Sequence, residues 1–205
     1  MEAVNQDWVV RQLSRSRPAR LAFEIRKAGR SDTLEMRAMQ ERSMMTIGGR
    51  FYARGEIETF LNLVGTMDDA VVDEGHFFVA VDPFERVIGT GAWSNLIPGY
   101  ARVAGGQKAA PSIARPAIGT ATVRSVFVEP ECTRRGIAQA IMQRVEADAA
   151  ASGMVHLQLT ATLSGEGFYR AIGYAAEPRG DVELPDGTRF GCVKMRKSIA
   201  MPSAA

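Results

Sequence analysis

The chain has 205 residues, of which 46% are hydrophobic and 23% are charged, which is the composition of an ordinary folded domain and excludes a disordered chain. Its net charge of +2 favours neither nucleic acid nor a membrane surface as a partner, and no apolar run reaches the ~20 residues of a membrane span. The two cysteines, Cys132 and Cys192, have no metal-ligand spacing and require no disulfide, so we expect no metal site and a cytoplasmic location.

The first half of the chain predicts a strand, two helices and a hairpin. Residues 21–26 alternate apolar and other side chains, which is typical of a half-buried strand. A helix should follow from an N-cap at Ser31 to about Ser43, and a shorter one over residues 56–63. Residues 76–81 and 86–94 predict two strands joined by a tight turn. The apolar side of the first helix is predicted to consist of Leu34, Ala38 and Met39.

The second half begins with a segment of a different kind. Residues 95–120 are rich in proline and glycine without periodicity, and they predict a long loop that is a lid, a binding element or an insertion. Residues 121–128 predict a central strand, and a helix with an i, i+4 apolar stripe follows and ends at Gly153. A strand, a short helix and a hairpin complete the order over residues 155–162, 165–173 and 181–195. This alternation predicts a single domain of mixed α/β class.

The most informative segment is the turn with Arg134, Arg135 and Gly136, where the central strand gives way to the helix. Unpaired N–H groups and the dipole at a helix start form an anion site that suits phosphate. Glycine allows close approach of the backbone to a ligand, and the two arginines add positive charge. The spacing is neither a P-loop nor a dinucleotide fingerprint. From these residues alone, a phosphate site and a solvated basic turn both stay open.

The segment VRSVFVEPECTRRGIAQAIM, residues 123–142, resembles the acetyl-CoA motif of the GNAT superfamily of N-acetyltransferases. The similarity lies in the V-x-P step and in the R-R-G-I-A turn. Thr133 stands at the first position of the family pattern Q/R-x-x-G-x-G/A, which removes one side-chain contact and leaves the backbone cradle. The segment FYRAIGY, residues 168–174, resembles the family's F-Y-x-x-x-G-F/Y segment, while Thr162 stands where the family often has asparagine. The resemblance extends over residues 21–197.

The resemblance implies a GNAT-like domain of mixed α/β (α+β) class, with a mixed, mostly antiparallel sheet, helices on both faces and two splayed central strands. It implies acetyl-CoA as co-substrate, with the pantetheine arm between the strands at 121–128 and 155–162. A backbone N–H near Val128 would polarise the thioester carbonyl, and the amine would attack directly. Tyr169 would donate a proton to the leaving thiolate, although a packing role for its ring is the alternative. The implied cofactor-binding residues are Val126, Phe127, Val128, Thr133, Arg134, Arg135, Gly136, Ile137 and Ala138.

The acceptor side is less defined by the sequence. Tyr52, Trp93 and Ser94 are candidate substrate residues and could equally belong to the core, and no general base stands out. No acidic residue lies between Glu85 and Glu129, so the basic loop is either solvated or holds an anionic group of coenzyme A or of the substrate.

We expect an N-acetyltransferase acting on a small-molecule amine. A protein or peptide amine and a non-catalytic acyl-CoA-binding module are the alternatives, and a homodimer is left open. The expected domain boundaries are an N-terminal extension over 1–20, the acetyltransferase domain over 21–198 and a tail over 199–205.

Overall fold

The computed structural model describes residues 21–96 and 116–199. The predicted N-terminal extension, most of the predicted long loop and all but the first residue of the predicted tail lie outside the described residues.

In the described part of the chain, eight strands form one sheet in the order β1-β2-β3-β4-β5-β8-β6, with β7 also pairing with β8. The strands are β1 Glu24–Lys27, β2 Phe77–Val81, β3 Val87–Ser94, β4 Thr120–Val128, β5 His156–Thr162, β6 Ala175–Ala176, β7 Gly180–Glu183 and β8 Arg189–Ser198. All pairs are antiparallel except β4 with β5. The predicted mixed, mostly antiparallel sheet is therefore confirmed.

Five α-helices lie among the described residues: α1 Thr33–Ser43, α2 Arg54–Leu63, α3 Asp69–Asp73, α4 Ile137–Ala151 and α5 Glu166–Ala171. A π-helical turn, Met44–Gly48, continues α1. None of these helices is both long and apolar enough to cross a membrane.

Helices cover both faces of the sheet, and all five residues of β2 are therefore buried. Phe78 and Ala80 belong to the core cluster that includes the apolar stripe of α4. Phe77, Val79 and Val81 point the other way and pack with the buried methionines of α1 and with α3. This alternation is the period of two that a strand imposes on its side chains.

The helix α4 approaches β3 closely at two glycines. A Cβ added at Gly91 would lie 2.4 Å from Cγ2 of Ile141, and one at Gly89 would lie 2.7 Å from Cγ2 of Ile137. Protein interiors are close-packed, so contacts this short leave no space for another methyl group at either glycine. The two glycines therefore set the distance between α4 and the sheet, and with it the position of the α4 N-terminus.

Two details of the predicted first helix are wrong. Ser31 is not the N-cap, because residues Arg30–Asp32 form a 3₁₀ turn in which the Asp32 carboxylate accepts a hydrogen bond from the N–H of Gly29 at 2.8 Å. Leu34 is 82% exposed and Ala38 is also exposed, so of the three predicted residues only Met39 belongs to the buried side. The residues of α1 that are buried are Met36, Met39, Gln40 and Ser43.

The two central strands part soon after they meet. The parallel pairing of β4 with β5 joins only residues 120–122 to residues 156–158, although β4 continues to Val128 and β5 to Thr162. Their remaining halves leave a gap at the centre of the sheet. The splayed central strands that the family resemblance implied are therefore present.

Candidate active site

The gap between β4 and β5 opens into a cavity of about 1380 Å³. Residues 123–128 of β4 and 159–162 of β5 form its inner walls, and the turn before α4 lies at one end. The segment from Met44 to Phe51 and the loop between α2 and α3 close the other side. The cavity therefore runs continuously from the basic turn to a chamber under the first two helices.

A kink in β4 directs the strand along this cavity. Ser125 has a φ of 51°, and the register with β3 shifts between Thr90 and Ala92. The Thr90 hydroxyl donates to the carbonyl of Ser125 at 2.8 Å, and the Ser125 hydroxyl donates to the carbonyl of Thr66 at 2.8 Å. A left-handed residue inside a strand is strained, and such a conformation persists only where its surroundings hold it. Here the two hydrogen bonds hold the kink from both sides.

The turn that opens α4 has the geometry of an anion cradle. Gly136 is the N-cap of α4 with a φ of 85°, and a Cβ built on it would meet no heavy atom within 4 Å. The first turn of α4 contains no acidic residue. Its unpaired N–H groups thus face open space with the positive end of the helix dipole behind them. The backbone before the turn is fixed by the Thr133 hydroxyl, which donates to the carbonyl of Pro130 at 3.0 Å.

The structure brings together most of the residues that the sequence assigned to the cofactor. Arg135 is not among the described residues that line the cavity. The assigned residues that do line it are Val126, Phe127, Val128, Thr133, Arg134, Gly136, Ile137 and Ala138.

Tyr169 also lines the cavity, from α5. It is 8% exposed, and its ring contacts Phe168 and Tyr174 with centroid distances of 5.2 and 5.6 Å. A Cβ at Gly165 would lie 3.2 Å from Cε2 of Tyr169, so the glycine leaves room for the ring. Packing thus holds the side chain in place at the wall of the cavity.

The cavity contains a cysteine that is a poor nucleophile. Cys132 lines the wall, and burial raises the pKa of its thiol. Because the reactive form of cysteine is the thiolate, a raised pKa disfavours attack by this side chain. The arrangement agrees with a reaction in which an acceptor attacks without an enzyme-bound intermediate.

The three candidate substrate residues do not line the cavity in the described part of the chain. The Tyr52 hydroxyl donates to the carbonyl of Gly191 and accepts from the N–H of Leu163, both at 2.7 Å. This side chain therefore links the loop before α2 to β8 and to the end of β5. Its ring also stacks on Phe190 with a centroid distance of 4.1 Å.

Trp93 and Ser94 are buried on the far part of β3. Trp93 is 1% exposed, donates from Nε1 to Asp148 at 2.9 Å and stacks on His76. The Ser94 hydroxyl donates to Glu74 at 3.1 Å. Both side chains make contacts that hold the sheet to neighbouring helices.

The chamber wall consists largely of residues that the sequence did not single out. They come from the end of α1, from the π-helical turn, from α2 and from the loop after it, and Arg124 joins them from β4. They include Arg37, Met44, Thr46, Ile47, Arg50, Phe51, Phe60, Val64, Thr66, Met67, Asp68 and Asp69. The glycine pair at Gly48 and Gly49 was the local signal that the chain turns here, but it did not show which side chains face inward.

Comparisons with known proteins agree with this geometry. Residues 73–176, just over half of the chain, match the family model of the acetyltransferase (GNAT) domain. Serotonin N-acetyltransferase 2, chloroplastic, from Oryza sativa subsp. japonica is 40% identical over 58 residues, which are 28% of this chain and 29% of the rice protein. The matched region thus spans less than a third of that relative.

Solved structures share the fold at low sequence identity. The GCN5-related N-acetyltransferase from Rhodopseudomonas palustris has a TM-score of 0.62 and 17% identity, with 88% of this chain and 97% of that chain covered. The PaiA N-acetyltransferase from Thermoplasma acidophilum, in complex with coenzyme A, has a TM-score of 0.62 and 15% identity, with 87% and 99% covered. With the family match over residues 73–176, the fold and the splayed strands together, the chain belongs to the GNAT superfamily.

Proposed function

We propose that this protein is an acyltransferase that transfers the acetyl group of acetyl-CoA to the amine of a small molecule by direct attack. The observation that carries the proposal is the single cavity that joins the anion cradle at Gly136, the parted strands β4 and β5 and the chamber beyond them. Acetyl-CoA is bound in the solved GNAT structures from Brucella melitensis and Sinorhizobium meliloti, which share this fold at TM-scores of 0.53 and 0.57.

The residues present fit acetyl-CoA in size, charge and backbone geometry. The N–H groups at the start of α4, with Arg134 beside them, suit the phosphates of the co-substrate. The gap-facing backbone groups of residues 126–128 have no partner strand, because the pairing of β4 with β5 ends at residues 122 and 158. They can therefore pair with the amide groups of an extended arm as a further strand would. A cavity of about 1380 Å³ leaves space for an acceptor as well.

In the proposed reaction, acetyl-CoA supplies an activated thioester. The residues of the chain position this thioester and stabilise the negative charges that develop on its oxygen and sulfur atoms. A backbone N–H near Val128 stabilises the negative charge that develops on the carbonyl oxygen. Tyr169 donates the proton that the departing thiolate takes up. The acceptor amine, with a pKa near ~10, loses one proton to solvent water before it attacks and a second before the C–S bond of the tetrahedral intermediate breaks, and Tyr169 regains its proton from water.

The apolar side chains of the chamber wall support a small acceptor over a protein surface. This wall includes Phe51, Phe60 and Met67, and the Thr66 carbonyl ties the loop after α2 to β4. A protein substrate would have to insert an extended segment under the first two helices. The rice relative is named a serotonin N-acetyltransferase, which supports small amines as the first acceptors to test.

The test is a screen of acetyl-CoA turnover that measures free thiol with small amines, amino acids and peptides. Turnover with a small amine, confirmed by mass spectrometry of the acetylated product, would support the proposal. Turnover with peptides alone would replace it by a protein acetyltransferase. Binding of coenzyme A without turnover across the panel would identify a non-catalytic acyl-CoA-binding module.

A further inference from the structure

The wall of the cavity contains an arginine that is not fully satisfied by the protein. Arg124 is half-buried and lines the cavity from β4, and its buried Nη1 atom has no hydrogen-bond partner among the described residues. Arginine cannot lose its charge in a protein, and a buried charged donor that is left unsatisfied is costly. Such a group indicates a ligand of opposite charge that the protein binds at this point.

The carboxylates of the cavity wall are already engaged elsewhere. Asp69 forms an ion pair with Arg37 at 2.6 Å. Asp68 caps α3, where its Oδ1 accepts from the N–H of Ala70 at 3.0 Å. Neither carboxylate is paired with Arg124, so the described wall of the chamber presents an excess of positive charge.

The position of Arg124 along β4 assigns it to the acceptor and not to the phosphates. The anion cradle at Gly136 lies beyond the carboxyl end of β4, and residues 126–128 lie between it and the kink at Ser125. Arg124 precedes the kink, about 13 Å back along the strand from Val128 at about 3.3 Å per residue. It therefore faces the chamber beyond the thioester end of the groove.

On the basis of the proposed acetyl transfer, we propose that Arg124 binds a carboxylate of the acceptor, so that the acceptor is a small amine that also carries a carboxylate. The guanidinium presents a planar pair of N–H donors that matches a carboxylate in two parallel hydrogen bonds. The cationic wall at the same time disfavours acceptors with several ammonium groups. Arg124 is thus a specificity-determining residue for the reaction.

Pairs of amines that differ only in a carboxylate several bonds away from the reacting amine test this assignment, because Arg124 lies well back along β4 from the thioester. Suitable pairs are lysine with cadaverine, 4-aminobutyrate with propylamine, and 6-aminohexanoate with pentylamine. The unmodified chain should prefer the carboxylated member of at least one pair by about tenfold or more in kcat/KM, because the bare amine gives the Arg124 guanidinium no opposite charge to bind. In Arg124→Met this preference should fall by roughly tenfold to a hundredfold, mainly through the KM of the carboxylated acceptor.

A matched control is Lys194→Met, which removes a cation from the exposed surface of β8 and is not among the described residues that line the cavity. The preference should survive in Lys194→Met and should be partly restored in Arg124→Lys, which keeps the charge but not the planar donor pair. The affinity for coenzyme A, measured by calorimetry, should be the same in all these proteins. Equal kcat/KM for both members of every pair, or an unchanged preference in Arg124→Met, would overturn the assignment.

The carboxylate site can be tested even if the proposed acetyl transfer is wrong. If no amine turns over, calorimetry of the same pairs with protein saturated with coenzyme A still measures the carboxylate preference. Tighter binding of the carboxylated member that is lost in Arg124→Met would support the carboxylate site while refuting the reaction. Equal binding, or no binding of either member, would overturn the carboxylate site itself.

Discussion

Gly136→Glu is expected to abolish useful affinity for coenzyme A while the protein stays folded. Gly136 caps α4 at the proposed phosphate cradle, is exposed, and has open space where a Cβ would stand. The new side chain would thus be accommodated sterically, but its carboxylate would occupy the place that the phosphates need. The effect on binding follows from charge and blocked approach, and the effect on stability follows from backbone strain.

The two effects have different magnitudes. A carboxylate about 5 Å from a pyrophosphate with two negative charges costs about 1.7 kcal/mol even with the dielectric constant of water, which is a loss of roughly twentyfold in affinity. Lower local dielectric and the lost N–H contacts increase the loss. A non-glycine residue at a φ of 85° costs about 1–2 kcal/mol of folding stability.

Gly153 provides the matched control because it has a φ of 83°, is exposed and also has no heavy atom near its Cβ position. It follows α4 at the opposite end, about 22 Å away along a 15-residue helix. Gly153→Glu therefore reproduces the strain and the added charge at a distance from the cradle. Both variants should lose a similar amount of stability, which corresponds to a Tm lower by roughly 2–8 °C.

Titration calorimetry with coenzyme A, combined with thermal unfolding, measures both quantities. The expected result is near-normal affinity in Gly153→Glu and a loss of at least about twentyfold in Gly136→Glu. A folded Gly136→Glu protein with the affinity of the unmodified chain would refute the assignment of this turn to the phosphates. An equal loss of coenzyme A affinity in both variants would show that backbone strain or net charge, and not the position of the new carboxylate, causes the effect.

Three further predictions concern the proton donor, the packing of α4 and the acid limit of stability. Tyr169→Phe should lower kcat by roughly 10²–10⁴ at saturating acetyl-CoA, whereas Tyr174→Phe should leave it within about threefold; equal rates would leave Tyr169 a packing role only. Gly91→Ala should lower the free energy of unfolding by about 1–3 kcal/mol in urea titrations, while Gly55→Ala, which meets no heavy atom within 4 Å on α2, should raise it by roughly 0.5–1 kcal/mol. Two arginine partners lower the pKa of Glu166, so its stabilising ion pairs are present above the unfolded-state pKa and are lost as the pH falls through the folded-state pKa. Glu166→Gln should accordingly lose less stability than the unmodified chain between about pH 5 and pH 3, and parallel stability curves would contradict this.

The sequence predicted those elements whose pattern is long and local. The apolar stripe of α4 gave the correct buried face, since Ile137, Ile141, Val145 and Ala149 are all in the core. Gly153 was also placed correctly, because a left-handed residue past a helix end is a position that favours glycine. Both features depend on spacing within one segment and require no knowledge of the rest of the chain.

The sequence did not predict features that depend on distant partners or on very short elements. The five residues of α3 are too few to show helical periodicity. Leu34 was misassigned because Gln40 and Ser43, two of the four buried residues of α1, are polar, so the apolar pattern did not mark the buried side. Tyr52 was a reasonable candidate for substrate binding, yet its hydroxyl contacts backbone groups 111 and 139 residues away. Sequence spacing alone contains no sign of such contacts.

This difference explains why the co-substrate was easier to predict than the acceptor. The proposed groove for acetyl-CoA uses the backbone of one continuous segment, from β4 to the α4 N-terminus, so a turn with a glycine in a fixed place reveals it. The proposed acceptor chamber uses side chains from α1, α2, the loop after α2 and β4, which the fold alone brings together. Arg124 is part of the same strand as the groove, but its proposed role depends on its Nη1 atom having no hydrogen-bond partner among the described residues. Experiments that vary the acceptor while the co-substrate stays constant are therefore the ones that can distinguish this enzyme from others with the same fold.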